Sequence, residues 1–244
     1  MIIQSLHTSG RLSVEQLSEL AGVSSITIRR DLAELESRGA LRRVRGGATR
    51  LVQRAEPVPY TIQIRDDVER KTSLAEAASL LVHDYSSIII DNGTTCLAVA
   101  REVAGRPITV MPLSLHAAVS LGAHPGPEVV VPGGPIEADS LAMFSSQAID
   151  AVRNFRADIV FLGACAVSAS RGLTSETFED AAIKQAAIAS ADKRVLVTVA
   201  DKLAQSSSFR FGELQDLTHL VTTNDAPRAI LKDVEGAGVE VIVV

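Results

Sequence analysis

The chain reads as two modules: a small N-terminal winged helix-turn-helix, then a larger α/β body built on a largely parallel, Rossmann-like sheet. Three observations carry that expectation. Charge divides between the parts, with nine Arg against five acidic residues in residues 1–54 (+4) and a balance of −9 in the remainder. Apolar residues between Val14 and Leu35 recur at helical spacing on both sides of a glycine. Beyond residue 60, short β-branched runs alternate with helical patterns, the signature of βαβ units.

At 244 residues, with 46% apolar and 22% charged residues, the chain has the material for a core of ordinary globular type. It contains no uncharged apolar run of ~18 residues, the length a membrane span requires. The start, "MIIQSLHTSGRLSVEQ", lacks a basic segment followed by a long apolar one and so does not read as a secretory signal. Cys96 and Cys165 make no disulfide framework and suit a reducing cytoplasm, each as a small buried residue. The five histidines show no metal-ligand spacing, and neither a Gly-x-Ser-x-Gly elbow nor a phosphate-binding glycine loop follows a strand. No cofactor is expected, and His116 reads as a helix-surface residue.

In the first module, Ser13 and Gln16 form a capping box, and Val14, Leu17, Leu20 and Ala21 give the helix its apolar stripe. Gly22 stops that helix. Ser24 or Ser25 caps a second one, lined by Ile28, Leu32 and Leu35 and ended by Gly39. Two helices joined by so short a glycine turn make a helix-turn-helix, whose second helix enters the major groove. Ser24, Ser25 and Thr27 offer hydroxyls to phosphates or bases, and Arg29 and Arg30 suit phosphate or guanine. "ALRRVRGGATRL" then reads as a two-stranded wing laying Arg43 and Arg45 along the backbone. An αα-hairpin with surface arginines is the plainer alternative.

"RLVQRAEPVPYTIQIRDD" carries two prolines and no helical period, so the modules are expected at 1–54 and 61–244 with a linker at 55–60. The body alternates helix 67–82, strand 87–91, helix 94–103, strand 108–111, helix 115–121, strand 128–131, helix 146–155, strand 158–162, helix 179–189, strand 195–199, strand 219–222, helix 227–234 and strand 239–243. Ligands of such sheets sit beyond the carboxyl ends of the strands. That places Asp91, Gly93, Thr94 and Thr95 of "DNGTT", Gly133 and Gly134 of "PGG", Gly163, and Lys202 at candidate positions. Gly93 permits close backbone approach, and the Thr hydroxyls with the first N–H groups of the next helix suit a phosphate. Taken alone, "DNGTT" serves a structural turn equally well, and Lys202 reads equally as a surface charge.

"SVEQLSELAGVSSITIRRDLAELESRGALRRVRGGA" resembles the winged helix-turn-helix of the DeoR family of bacterial transcriptional regulators, through the series "TIRRDL…L…G…R…GGA". The first helix, about Ile2 to His7, is shorter than the family's. The body resembles the family's effector domain: Arg65, "KTSLAEAA" (71–78), "DNGTT", "PGG", "FLGA" (161–164), "GLT" (172–174) and the helix holding Lys184 fall in the family's order. The resemblance implies a repressor of a double-stranded DNA operator, controlled by a phosphorylated sugar or related metabolite that Lys184 helps to hold. It further implies a ribose-phosphate-isomerase-like fold and a homodimer or homotetramer.

That fold raises an alternative, a sugar-phosphate isomerase-like enzyme with an accessory DNA-binding head. Such chemistry needs a carboxylate base. Against the isomerase pattern, Leu162 and Cys165 stand where acids are expected and Gln185 replaces a glutamate, so no catalytic residue is assigned. Met111-Pro112-Leu113-Ser114 replaces the family's Thr-Asn-Ser corner. Asp201-Lys202 stands where the family has Asp-x-x-Lys, with Ala204 at the lysine's place, and Ala166 replaces a glycine.

Overall fold

The computed structural model describes residues 1–9, 11–37, 41–50, 53–55 and 58–244. Its first module, the head, contains α1 (Ile2–Ser9), β1 (Arg11–Ser13), α2 (Val14–Ala21), α3 (Ser25–Ser37), β2 (Leu41–Val44) and β3 (Gly47–Arg50). The capping box forms as the sequence predicts: the Gln16 N–H donates to Ser13 Oγ at 3.1 Å, and the Ser13 N–H donates to Gln16 Oε1 at 2.9 Å. Gly22 closes α2 in the left-handed region, at φ 65°. Leu17, Ile28 and Leu32 meet Leu6, Leu12 and Leu41 in one small core. Gly39, expected to end α3, lies outside the described residues.

The wing gains a strand over the expected two. β1 pairs with β3, giving the antiparallel order β1-β3-β2. Gly47 allows this, because a Cβ there would stand 2.1 Å from the Leu12 carbonyl oxygen. The second glycine of "RGGA" therefore serves strand pairing as well as the turn.

The end of the expected head and the first residue of the expected linker are tied to the body. β4 (Gln53–Arg54) pairs in parallel with β12 (Gln205–Ser206), the Ala55 N–H donates to the Ser206 carbonyl at 2.9 Å, and Arg54 reaches Ser208 Oγ at 2.9 Å. α4 (Tyr60–Gln63) then leads into α5 (Val68–Ser79).

The body is layered. β5 (Ser87–Ile90), α6 (Thr94–Glu102), β6 (Thr109–Pro112), α7 (Leu115–Gly122) and β7 (Glu128–Val129) build one half of the sheet. α8 (Ser146–Arg153) and β8 (Ala157–Leu162) start the other half. β9 (Ala166–Ser168) and β10 (Gly172–Ser175) form a hairpin, followed by α9 (Phe178–Ala189) and β11 (Ala191–Thr198). After β12 come β13 (Phe209–Gly212), β14 (His219–Thr222), α10 (Arg228–Gly236) and β15 (Glu240–Val243). Seven strands run parallel in the order β15-β14-β11-β8-β5-β6-β7.

The central strands are apolar on both faces, as parallel strands covered by helices require. Ile89, Val160 and Leu196 face a core with α8, α9 and α10. Ile88, Ile90, Phe161 and Val197 face α5, α6 and α7. β9, β10 and β13 form a small antiparallel sheet that the strand patterns did not disclose. Connections from β5 lead outward to β6, while β8 lies on β5's other side, so the sheet switches direction between β5 and β8. A crevice opens at the carboxyl ends of strands at such a point.

Among the described residues no helix is long and apolar enough to cross a membrane. Ser13→Ala removes the acceptor of the capping box and is expected to cost the head about 1 kcal/mol. Urea unfolding monitored on the head checks this, with a lower midpoint at unchanged slope as the expected result.

Candidate functional site

At the switch point, Asp91 follows the end of β5 and Gly163 the end of β8. The Asp91 carboxylate accepts the Gly163 N–H at 2.9 Å, which pins the two strand ends together. From α9, Lys184 reaches the same carboxylate at 2.9 Å and Asp180, one turn earlier, at 2.5 Å. Asn92 closes the group, donating to Asp91 at 3.0 Å and Asp180 at 2.8 Å. Asp91, Asp180 and Lys184 are all buried.

Burial opposes every one of these charges, and the partners decide the outcome. It raises the Asp91 carboxyl above its ordinary range, against the pull of Lys184. Asp180 is held below the ordinary range, because the Lys184 ammonium and several hydrogen bonds outweigh its desolvation. Lys184 stays charged well above its usual value, since two carboxylates outweigh its burial.

Above this cluster lies an open cavity of about 730 Å³. Gly93, Thr94 and Thr95 line it, together with Gly163, Lys184 and Lys202. Gly93 N-caps α6 at φ 100°, ψ 161°, a conformation open in practice to glycine alone. It thereby turns the first N–H groups of a nine-residue helix toward the cavity. Thr94 and Thr95 are buried at the rim.

Not every expected residue converges here. Asp91 stands beneath the cavity and is absent from its lining, so it holds other groups in place. Gly133 and Gly134 lie outside the lining, Gly134 against Ser145. The Met111–Ser114 corner also lies outside it: Met111 and Leu113 are core residues, and Ser114 caps α7 by accepting the Ala117 N–H. Cys96 is fully buried as expected, and burial pushes its thiol far up. Cys165 lines the cavity, with its thiol also raised by burial.

Several lining residues escaped the sequence reading. Lys71 is 8% exposed, with its ammonium on the carbonyls of Gln63 (2.5 Å) and Asp66 (2.6 Å). Burial lowers its pKa, and repulsion from Lys202 lowers it further. It sits in the quoted "KTSLAEAA", but nothing local shows that α5 aims it at the cavity. Glu176, raised by burial, and Asp180 also line the cavity. Tyr60 stacks on His116 with ring centroids 4.7 Å apart and planes 3° from parallel. His116 is thus a packing partner of the connecting segment, not a free surface residue. The Tyr60 N–H donates to Asp139 at 2.8 Å, and burial raises its phenol to about 12.

In the head, the Ser24 and Thr27 hydroxyls bond to each other at 2.9 Å, and the Thr27 N–H donates to Ser24 Oγ at 3.2 Å. Both hydroxyls are therefore engaged in capping α3. Ser25, Arg29, Arg30, Arg43 and Arg45 are exposed.

Lys184→Met would strand two buried acids, and removing one partner of a buried pair costs about 3–5 kcal/mol. Because the Lys184 pKa is raised on folding, its contribution is complete below the ordinary 10.5 and declines as pH rises beyond it. Thermal melts should therefore show the gap between wild type and variant narrowing only above pH 10.5.

The DeoR-like helix-turn-helix domain matches residues 1–54, and the DeoR C terminal sensor domain matches residues 66–224. The chain is 31% identical to the glycerol-3-phosphate regulon repressor of Haemophilus influenzae, over 94% of this chain and 89% of that protein. It is 30% identical to the HTH-type transcriptional regulator GlpR of Haloferax volcanii (99% and 94%). With the HTH-type transcriptional repressor GlcR of Bacillus subtilis the identity is 28% (99% and 93%). Among solved structures it is similar to ribose 5-phosphate isomerase A from Methanocaldococcus jannaschii, at 19% identity and a TM-score of 0.42 over 55% of this chain and 54% of that one. With its head and its body both matched, the chain belongs to the DeoR family of DNA-binding transcriptional regulators.

Proposed function

We propose that the chain is a cytoplasmic repressor whose head grips a duplex operator and whose body binds a phosphorylated sugar without turning it over. One observation carries the ligand class. Two lysines, Lys71 and Lys202, line the same cavity as Gly93, Thr94 and Thr95, where α6 begins. A dianionic phosphate suits that positive charge and takes up the free N–H groups of the helix start. Glu176, which also lines the cavity, is an acceptor for sugar hydroxyls.

The arrangement favours binding over isomerisation. Leu162 is buried in the core, and Gln185 points away from the cavity to donate to the Arg210 carbonyl at 3.1 Å. Asp180 is committed to Lys184 and Asn92. No group of this set is free to shuttle a proton between carbons. The relatives named as repressors support the direction of control, and paired half-sites suit a homodimer or a pair of dimers.

Ser25, Arg29 and Arg30 of α3 would face the major groove, and Arg43 and Arg45 of the wing the backbone. Arg29→Ala and Arg30→Ala are each expected to weaken duplex binding about tenfold while the body's melting point holds. Full, salt-sensitive affinity in both variants would sink that assignment. In the body, Thr94→Val with Thr95→Val should abolish the thermal shift given by phosphorylated sugars and leave DNA binding intact. An unchanged shift argues against the cradle, and release of isomerised sugar by the purified protein overturns the sensor reading.

A further inference from the structure

α3 presents an apolar side chain at the place where a recognition helix meets base edges. Ile28 and Leu32 turn into the head's core, at 0% and 1% exposure, while Ile26 in the first turn is 79% exposed. Ile26, Arg30 and Ala33 fall at i, i+4 and i+7, so they share a ridge, with Arg29 beside it. All four are exposed.

Neighbouring polar groups are less available than their sequence suggests. The hydroxyls of Ser24 and Thr27 are engaged with each other and with the helix start. That leaves Ile26 among the uncommitted groups of the first turn. So exposed an isoleucine adds nothing to packing, and its helix propensity is close to that of serine. The surrounding surface, with Arg29, Arg30, Arg42 and Arg43, is complementary to a polyanion. The apolar group that a major groove offers to such a side chain is the 5-methyl of thymine.

We propose that Ile26 is a specificity-determining residue that packs on the 5-methyl of one thymine in each half-site, beside the bases or phosphates held by Arg29 and Arg30. The inference rests on the reading of α3 as the recognition helix.

The test uses the full chain and duplexes that it selects from a random-sequence pool. Dissociation constants are measured at fixed salt for a selected duplex and for copies in which each thymine in turn is replaced by deoxyuridine. One thymine per half-site should lose about fourfold in affinity with its methyl group, the fold-change for one buried methylene-sized group. Ile26→Ser should bind both duplexes alike, near the weakened value, with unchanged melting temperature and salt slope. Ile26→Val should keep part of the methyl dependence. The proposal is overturned if no thymine shows methyl dependence, or if Ile26→Ser retains it in full. A wild-type chain that selects no duplex overturns the reading of α3 itself, and this inference with it.

Discussion

The buried ammonium of Lys184, held between Asp91 and Asp180, is the constraint around which the body is arranged. Charges in such a place are tolerated only when each is paired and hydrogen-bonded. Meeting that condition fixes three elements at once. β5 and β8 are joined end to end through Asp91 and the Gly163 N–H, and α9 is locked to both through Lys184. The cluster's strength as a net stabiliser is modest, since desolvation consumes most of the attraction. Its strength as a positional constraint is large, because any shift leaves a buried charge alone.

What the constraint positions is the corner above it. With Asp91 and Asn92 held, the chain turns at Gly93 and starts α6 with its N–H groups toward the cavity. Lys71 and Lys202 then bring positive charge from two other elements. Positive and negative groups thus meet at one corner of the body, where Asp91 and Asp180 are both paired to Lys184. The same cavity wall includes Arg54 and Ala55, at the exit from the head. β4 is paired to β12, three residues beyond Lys202, so a ligand that moves Lys202 acts on the strand to which the head is tied. Coupling of that kind is reciprocal: DNA that holds the head in one position alters the ligand's affinity by the same factor.

Much of this was legible from residue order. The capping box at Ser13, the stop at Gly22 and the alternation of strands and helices from Ser87 onward all rest on patterns within ten or so residues, and the structure contains them. Other elements left no such trace. β9, β10 and β13 are short, and β9 and β10 are buried along their whole length, so no alternation marks them. β1 is three residues long and exists because Gly47 lets β3 approach. Lys71, Glu176 and Tyr60 are ordinary residues in their own segments, and only convergence from distant parts of the chain makes them neighbours of one cavity.

By itself, the sequence determined the two modules, their fold classes, the helix starts and stops, and the presence of a small-residue turn suited to an anion after the first strand of the body. These follow from helical and strand periods, caps and glycine, which act over a few bonds. Tertiary structure alone decided that Asp91 lies beneath the cavity, that Gly133 and Gly134 stand apart from it, and that the end of the head is strapped to the body. Asp91 and Lys184 are 93 residues apart in the chain. Whether two such charges meet depends on how the sheet closes and how much water it expels, and neither quantity is written in the residues around them.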